Sequence, residues 1–243
     1  MNKLFRLITI AFSASLFTAC KKDSQEIKLT STVNVINAAV DIPGVKVNTS
    51  GGNIAFSTIT QIAYGAGQLN YVPRTSTPVL IVKASDSTAS LVNSTINFQG
   101  QVYSMYLVGQ TPTIENFLVE ETNFPFIRQD VIQPSSDSVV NVRFVNLSPN
   151  SVPIKVKING ATVNEVDNLP YKSISTWKAY TAKLATTNYS FQVRDAVTDA
   201  LLASFTFSAT GTNRFKNVAL IIKGLQGTTT GTNAYSVSAV NYF

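Results

Sequence analysis

Ser175 and Lys178 are spaced as Ser-x-x-Lys, the arrangement of the serine nucleophile in penicillin-binding enzymes. That chemistry requires a helix start at the serine and accompanying Ser-Asp-Asn and Lys-Thr-Gly elements. The sequence has neither element, and the segment reads as a strand, so Ser175 is not expected to be a nucleophile. The chain has no histidine. It therefore lacks the commonest general base, the commonest metal ligand and every Ser-His or Cys-His pair. Its one cysteine, Cys20, rules out a zinc-thiolate cluster. No phosphate-cradling loop or dinucleotide fingerprint occurs. The 13 acidic residues are scattered and read as surface charges, not as the paired carboxylates of a glycosidase. The sequence thus assigns no catalytic residue, no metal ligand and no cofactor, and a non-enzyme is expected.

A second constellation is aromatic. Tyr171, Trp177 and Tyr180 lie near one another beside Lys172 and Lys178, and Tyr64 and Tyr71 occupy the corresponding part of the first half. Aromatic faces bordered by polar groups suit sugar rings or a protein hot spot. The same rings could equally fill a core. Tyr171, Trp177 and Tyr180 are the candidate ligand contacts, with both readings open.

Cys20 has a context of its own. Lys3 and Arg6 give a positive start, Leu7 to Phe17 is apolar, and Phe17-Thr18-Ala19 precede the thiol. The apolar run is shorter than the roughly 20 residues of a membrane helix. A charged start, apolar middle and small-residue end make a secretory signal. The whole resembles a bacterial lipoprotein signal peptide, with phenylalanine where leucine is commoner. The resemblance implies cleavage after residue 19, acylation of Cys20 and lipid anchoring. Each buried methylene of such chains contributes about 0.8 kcal/mol. Lys21 to Glu26 then forms a charged tether similar to the surface-export tags of Bacteroidota lipoproteins, which implies the outer face of the outer membrane. In that setting Asp86-Ser87-Thr88 and Asp137-Ser138-Val139 fit an O-glycosylation pattern at predicted turns, making Ser87 and Ser138 candidate modification sites.

The formal charge of the whole chain is +6. It is uneven: residues 29–121 carry three basic and five acidic side chains, residues 138–243 ten and four. No dense Lys/Arg stripe or nucleic-acid motif accompanies the basic half. Nucleic acid is not expected as a partner, whereas a cell-surface glycan or an envelope protein is compatible with the charge.

The elements that must position these groups are strands. Lys155-Val156-Lys157-Ile158 alternates and is followed by Asn159-Gly160, the preferred two-residue hairpin turn. Tyr189 to Val193 and Ser204 to Phe207 also alternate, and Val218 to Ile222 is continuously apolar, as in a strand covered on both faces. Ala234 to Phe243 ends like the last strand of an outer-membrane barrel, but a final sandwich strand fits the rest better. The chain also repeats itself after about 110 residues, one domain length. Val33 to Ala38 matches Val142 to Leu147, Val45 to Asn48 matches Val156 to Asn159, and Gln61 to Tyr64 matches Asn168 to Tyr171. Ser104 to Gly109 matches Ala219 to Gly224 only roughly, and best when shifted by one. The expected fold is all-β, with two tandem Ig-like or transthyretin-like antiparallel β-sandwiches, each with its own core. The expected boundaries are 1–19 for the signal, 20–29 for the tether, 30–121 and 138–243 for the two sandwiches, and 122–137 for the linker.

The Val-Asn motif that opens each half, the proline a few residues on, the Leu-Pro-Tyr segment and the late apolar strand resemble a bacterial family known as domain of unknown function 4397. That resemblance implies an exported protein, often a lipoprotein, with one or two such domains. It supplies no catalytic residues.

Overall fold

The structure is a computed structural model that describes residues 29–125, 138–183, 187–210 and 213–242. The expected signal peptide, Cys20 and most of the expected linker lie outside these residues. The described chain is all-β, with a short 3-10 turn at Phe56–Thr58.

The first half has two four-stranded sheets. One is ordered β4 (Gly67–Pro73), β1 (Thr30–Asn37), β7 (Val102–Gln110), β8 (Thr113–Glu120). The other is ordered β3 (Ile62–Ala63), β2 (Gly44–Asn48), β5 (Ser76–Lys83), β6 (Asp86–Asn97). The second half repeats the plan. Its first sheet runs β12 (Ser173–Ile174), β9 (Val139–Asn146), β16 (Asn217–Lys223), β17 (Ser236–Asn241), with β13 (Lys178–Thr181) also on β9. Its second runs β11 (Asn164–Leu169), β10 (Ile154–Ile158), β14 (Asn188–Asp195), β15 (Leu201–Ser208). Pairing is antiparallel except in the middle of each first sheet, where β1 lies parallel to β7 and β9 parallel to β16. Each such pair joins the first strand of its half to a late one, so the intervening chain supplies the crossover that parallel pairing requires.

Each half has the core expected of a sandwich. Val33, Val35, Met105 and Leu107 meet Val45, Val79 and Ile81 in the first. Val142, Phe144, Leu220 and Ile222 meet Val156, Phe191 and Val193 in the second. A third core joins the halves. Ile36, Ala38, Tyr106 and Val108 pack against Val145, Leu147, Ala219 and Ile221. The continuous apolar run of β16 is thereby explained: Val218, Leu220 and Ile222 face their own sandwich, while Ala219 and Ile221 face the other one. A strand buried on both faces cannot alternate.

The repeat has a structural cause in two buried asparagines. Asn37 and Asn146 end β1 and β9. The Asn146 amide donates to Leu169 O at 3.0 Å, and its carbonyl accepts from Ser148 N at 3.3 Å. Asn37 makes the equivalent bonds with Ile62 O and Ala39 N. Their backbone carbonyls accept from Gly65 N and Lys172 N, the residues after Tyr64 and Tyr171, both at positive φ. The last matched segment is also resolved. Asn37 pairs with Leu107 and Asn146 with Ile222, so Gly109 corresponds to Gly224 with no shift. Both glycines have positive φ, and a Cβ would strike the Thr113 or Ala234 carbonyl.

Asn146→Ala would leave two buried backbone groups without partners, each costing about 1–3 kcal/mol. Urea unfolding should show a loss of about 2–6 kcal/mol. A loss below about 0.5 kcal/mol, the size of an ordinary surface change, would refute the role given to the motif.

Candidate functional site

Trp177 and the side chains around it form the most elaborate polar assembly of the described chain. It lies in the seam between the two halves. Arg143, on β9, points away from its own sandwich, as alternation requires between Val142 and Phe144. There it meets Glu121, just past β8. The guanidinium donates to the two Glu121 carboxylate oxygens at 2.7 and 2.6 Å. Its Nη2 also lies within 3.0 Å of Ser104 Oγ and at 2.8 Å from the hydroxyls of Tyr106 and Tyr242. Nη2 carries two protons, so these oxygens share them, and the hydroxyls relay: Ser104 Oγ donates to Glu121 Oε1. The Trp177 ring covers the guanidinium at 4.4 Å, with Tyr242 at 5.2 Å. Phe124 and Tyr242 each meet the Trp177 ring edge to face, at 5.6 and 5.7 Å.

Both charges are withdrawn from water, with side-chain exposures of 3% for Arg143 and 5% for Glu121. Burial opposes the charged guanidinium, but the surrounding tyrosines and Glu121 outweigh it and hold Arg143 charged. Burial pushes the Tyr106 phenol well above its usual range. Tyr64 and Tyr171, at equivalent places on either side of the seam, are each pushed up to about 12, chiefly by burial. A raised phenol pKa favours the folded state until the unfolded tyrosines ionise, so stability falls as pH rises above about 10.

The expected ligand contacts do not converge. Tyr171 and Trp177 pack on the seam core, whereas Tyr180 lies across the sheet, 5% exposed, in the core of the second sandwich. The Tyr180 hydroxyl donates to Glu165 at 2.6 Å, and Lys178 pairs with the same carboxylate. Ser175 is occupied elsewhere, accepting from Phe144 N at 2.9 Å and donating to Thr176 O. Ser175 and Lys178 are thus bonded to different partners. An open groove of about 340 Å³ runs along the seam beside Glu121, Arg143, Ser175 and Trp177. The groove has Trp177 in its wall, but the charges behind it already neutralise each other.

Of the two candidate modification sites, Ser87 is exposed at the start of β6. The neighbouring Asp86 carboxylate is held below its usual range by the Thr88 hydroxyl and amide. Ser138 requires a correction. It is 1% exposed, and its hydroxyl accepts from the Arg214 guanidinium, so the folded chain does not present it. The acylation site Cys20 lies outside the described residues. Among the described residues no group of three or more Asp, Glu, His or Cys could hold a metal ion.

Sequence reading missed the seam. Its signal was present in the apolar residues Ile36, Tyr106 and Val108, which alternation places outside the first sandwich.

No protein-family model matches the chain, and no curated protein is similar to it. Among solved structures it is similar to CBMbc, a family CBM26 module from Eubacterium rectale Amy13K crystallised with maltoheptaose. The identity is 12% over 88% of this chain and 98% of that one, with a TM-score of 0.26. A likeness of that degree specifies no function.

Removing one member of a buried ion pair costs about 3–5 kcal/mol, because the other charge is left unpaired. Arg143→Met and Glu121→Leu should each show a loss of that size on urea unfolding. The double variant should lose less than the sum of the two. Strict additivity would mean that the two side chains do not stabilise each other.

Proposed function

We propose that this chain is a non-enzymatic, lipid-anchored cell-envelope protein that serves as a binding or structural accessory module. In this reading Cys20 is acylated, residues 21–29 form the tether, and the two sandwiches stand outward from the outer membrane. It is of the exported two-domain type whose Val-Asn and Leu-Pro-Tyr motifs it resembles. One observation carries the non-enzymatic part. The most reactive side chains are each bonded within the scaffold, Arg143 to Glu121, Ser175 to Phe144 N and Lys178 to Glu165. The location rests on the sequence of residues 1–26.

The test is metabolic labelling with a fatty-acid probe. The wild-type chain should take up label and sediment with outer membranes, and Cys20→Ala should take up none, because the thiol is the attachment atom. Undiminished labelling of Cys20→Ala would reject the lipid anchor.

A further inference from the structure

The second sandwich has an open side. There the edge strand β15 of one sheet faces the edge strand β17 of the other across a cleft of about 540 Å³. Its walls are the first residues of β15, the start of β17 and the loop that precedes β17. None of the lining side chains is charged. This is notable in a half with ten basic residues. The lining combines two rings, Phe205 and Tyr235, with the threonines Thr228 and Thr229. Leu201, 52% exposed, forms part of the rim.

The cleft is held open by its surroundings. Phe205 and Tyr235 are backed by the core of the second sandwich. The Tyr235 hydroxyl bonds with Ser151 at 3.2 Å, and Tyr235 N donates to Thr228 O at 2.8 Å. Gln226 is fixed to the β9–β10 corner. Its backbone N–H donates to Asn150 Oδ1 at 2.8 Å, and its side-chain oxygen accepts from Val152 N at 2.9 Å. An N–H donor on that oxygen settles the orientation of the amide and leaves its NH2 as a donor on a residue of the wall.

We propose that this cleft binds a neutral saccharide, the Phe205 and Tyr235 rings taking the apolar faces of sugar rings and Gln226, Thr228 and Thr229 taking hydroxyls. Its size falls within the range of small-ligand sites, about 300–1,000 Å³. An anionic ligand would find no cation in the lining, and a cationic one no carboxylate. A mixed apolar and hydroxyl surface fits a ligand of the same mixed character. The inference deepens the binding-module reading and rests on it, but locates the site away from Tyr171, Trp177 and Tyr180.

The test is calorimetric titration of the purified full chain with maltoheptaose, cellohexaose and mannohexaose, with oligogalacturonate as the charged comparison. At least one neutral oligosaccharide should bind, with affinity unchanged between about 0.05 and 0.5 M salt, since no charge is engaged. Thr229→Trp, an exposed substitution that fills the cleft, and Leu201→Lys at its rim should each weaken binding at least about tenfold. Both should leave the unfolding midpoint in place. Any of three results would overturn the inference: no binding of the neutral probes, binding untouched by either substitution, or self-association through β15 that Thr229→Trp abolishes. These outcomes are independent of Cys20 labelling, so the cleft can fail while the anchored-module reading stands. Cleavage of a bound oligosaccharide would instead sink the non-enzymatic reading.

Discussion

A guanidinium and a carboxylate that have both left water must find each other, and in this chain they come from different halves. Arg143 belongs to the second sandwich and Glu121 to the end of the first. Neither half can satisfy its own charge. Separation would return both ions to water, but it would also uncover Ile36, Tyr106, Val145 and Ile221. The apolar seam makes docking favourable, and the ion pair with its hydroxyl relay sets the register in which docking occurs. Coulombic attraction between buried charges offsets desolvation only when geometry and additional hydrogen bonds are good. Here Ser104, Tyr106, Tyr242 and the Trp177 face supply them.

The seam is built from the same face of both repeats. Ile36 and Val145, Ala38 and Leu147, and Tyr106 and Ile221 are equivalent pairs, and all lie in the shared core. Tyr64 reaches across to Lys223, whose ammonium lies 4.2 Å from the ring, and its counterpart Tyr171 packs near Glu115 of the first half. This is the self-complementary pattern of a two-fold dimer interface, realised within one chain. The symmetry is broken where specificity is needed: the position of Arg143 is occupied by Asn34 in the first half, which donates to Asn241 O at 3.4 Å.

Much of the scaffold was legible in the sequence. Alternation in Lys155 to Ile158 and the repeated Val-Asn motif announce paired β-domains, whereas Asn159-Gly160 does turn the chain but with positive φ only at Gly160, and β11 begins at Asn164, so it opens a longer loop and not a two-residue hairpin. The continuous run from Val218 to Ile222 announces a strand covered on both sides. What covers its second face was not legible, because hydrophobic periodicity tells inside from outside of one sandwich and says nothing of a second one. Arg143 between Val142 and Phe144 reads as a solvated outward residue for the same reason. Trp177 and Tyr180 look like one aromatic cluster in sequence, yet they occupy opposite faces of one sheet and belong to different cores. Ser138 sits beside a turn signal but is covered by Arg214, a contact 76 residues away that no local pattern encodes. The cleft between β15 and β17 depends likewise on a sheet order that alternation does not specify.

The central claim is that two repeated sandwiches behave as one body because they share a third core. Differential scanning calorimetry of the full chain tests it most directly. A single cooperative transition, with calorimetric enthalpy equal to the van't Hoff value for all described strands, is the predicted result. Two resolved transitions, each with the enthalpy of one sandwich, would contradict it and reduce the seam to a contact between independent domains.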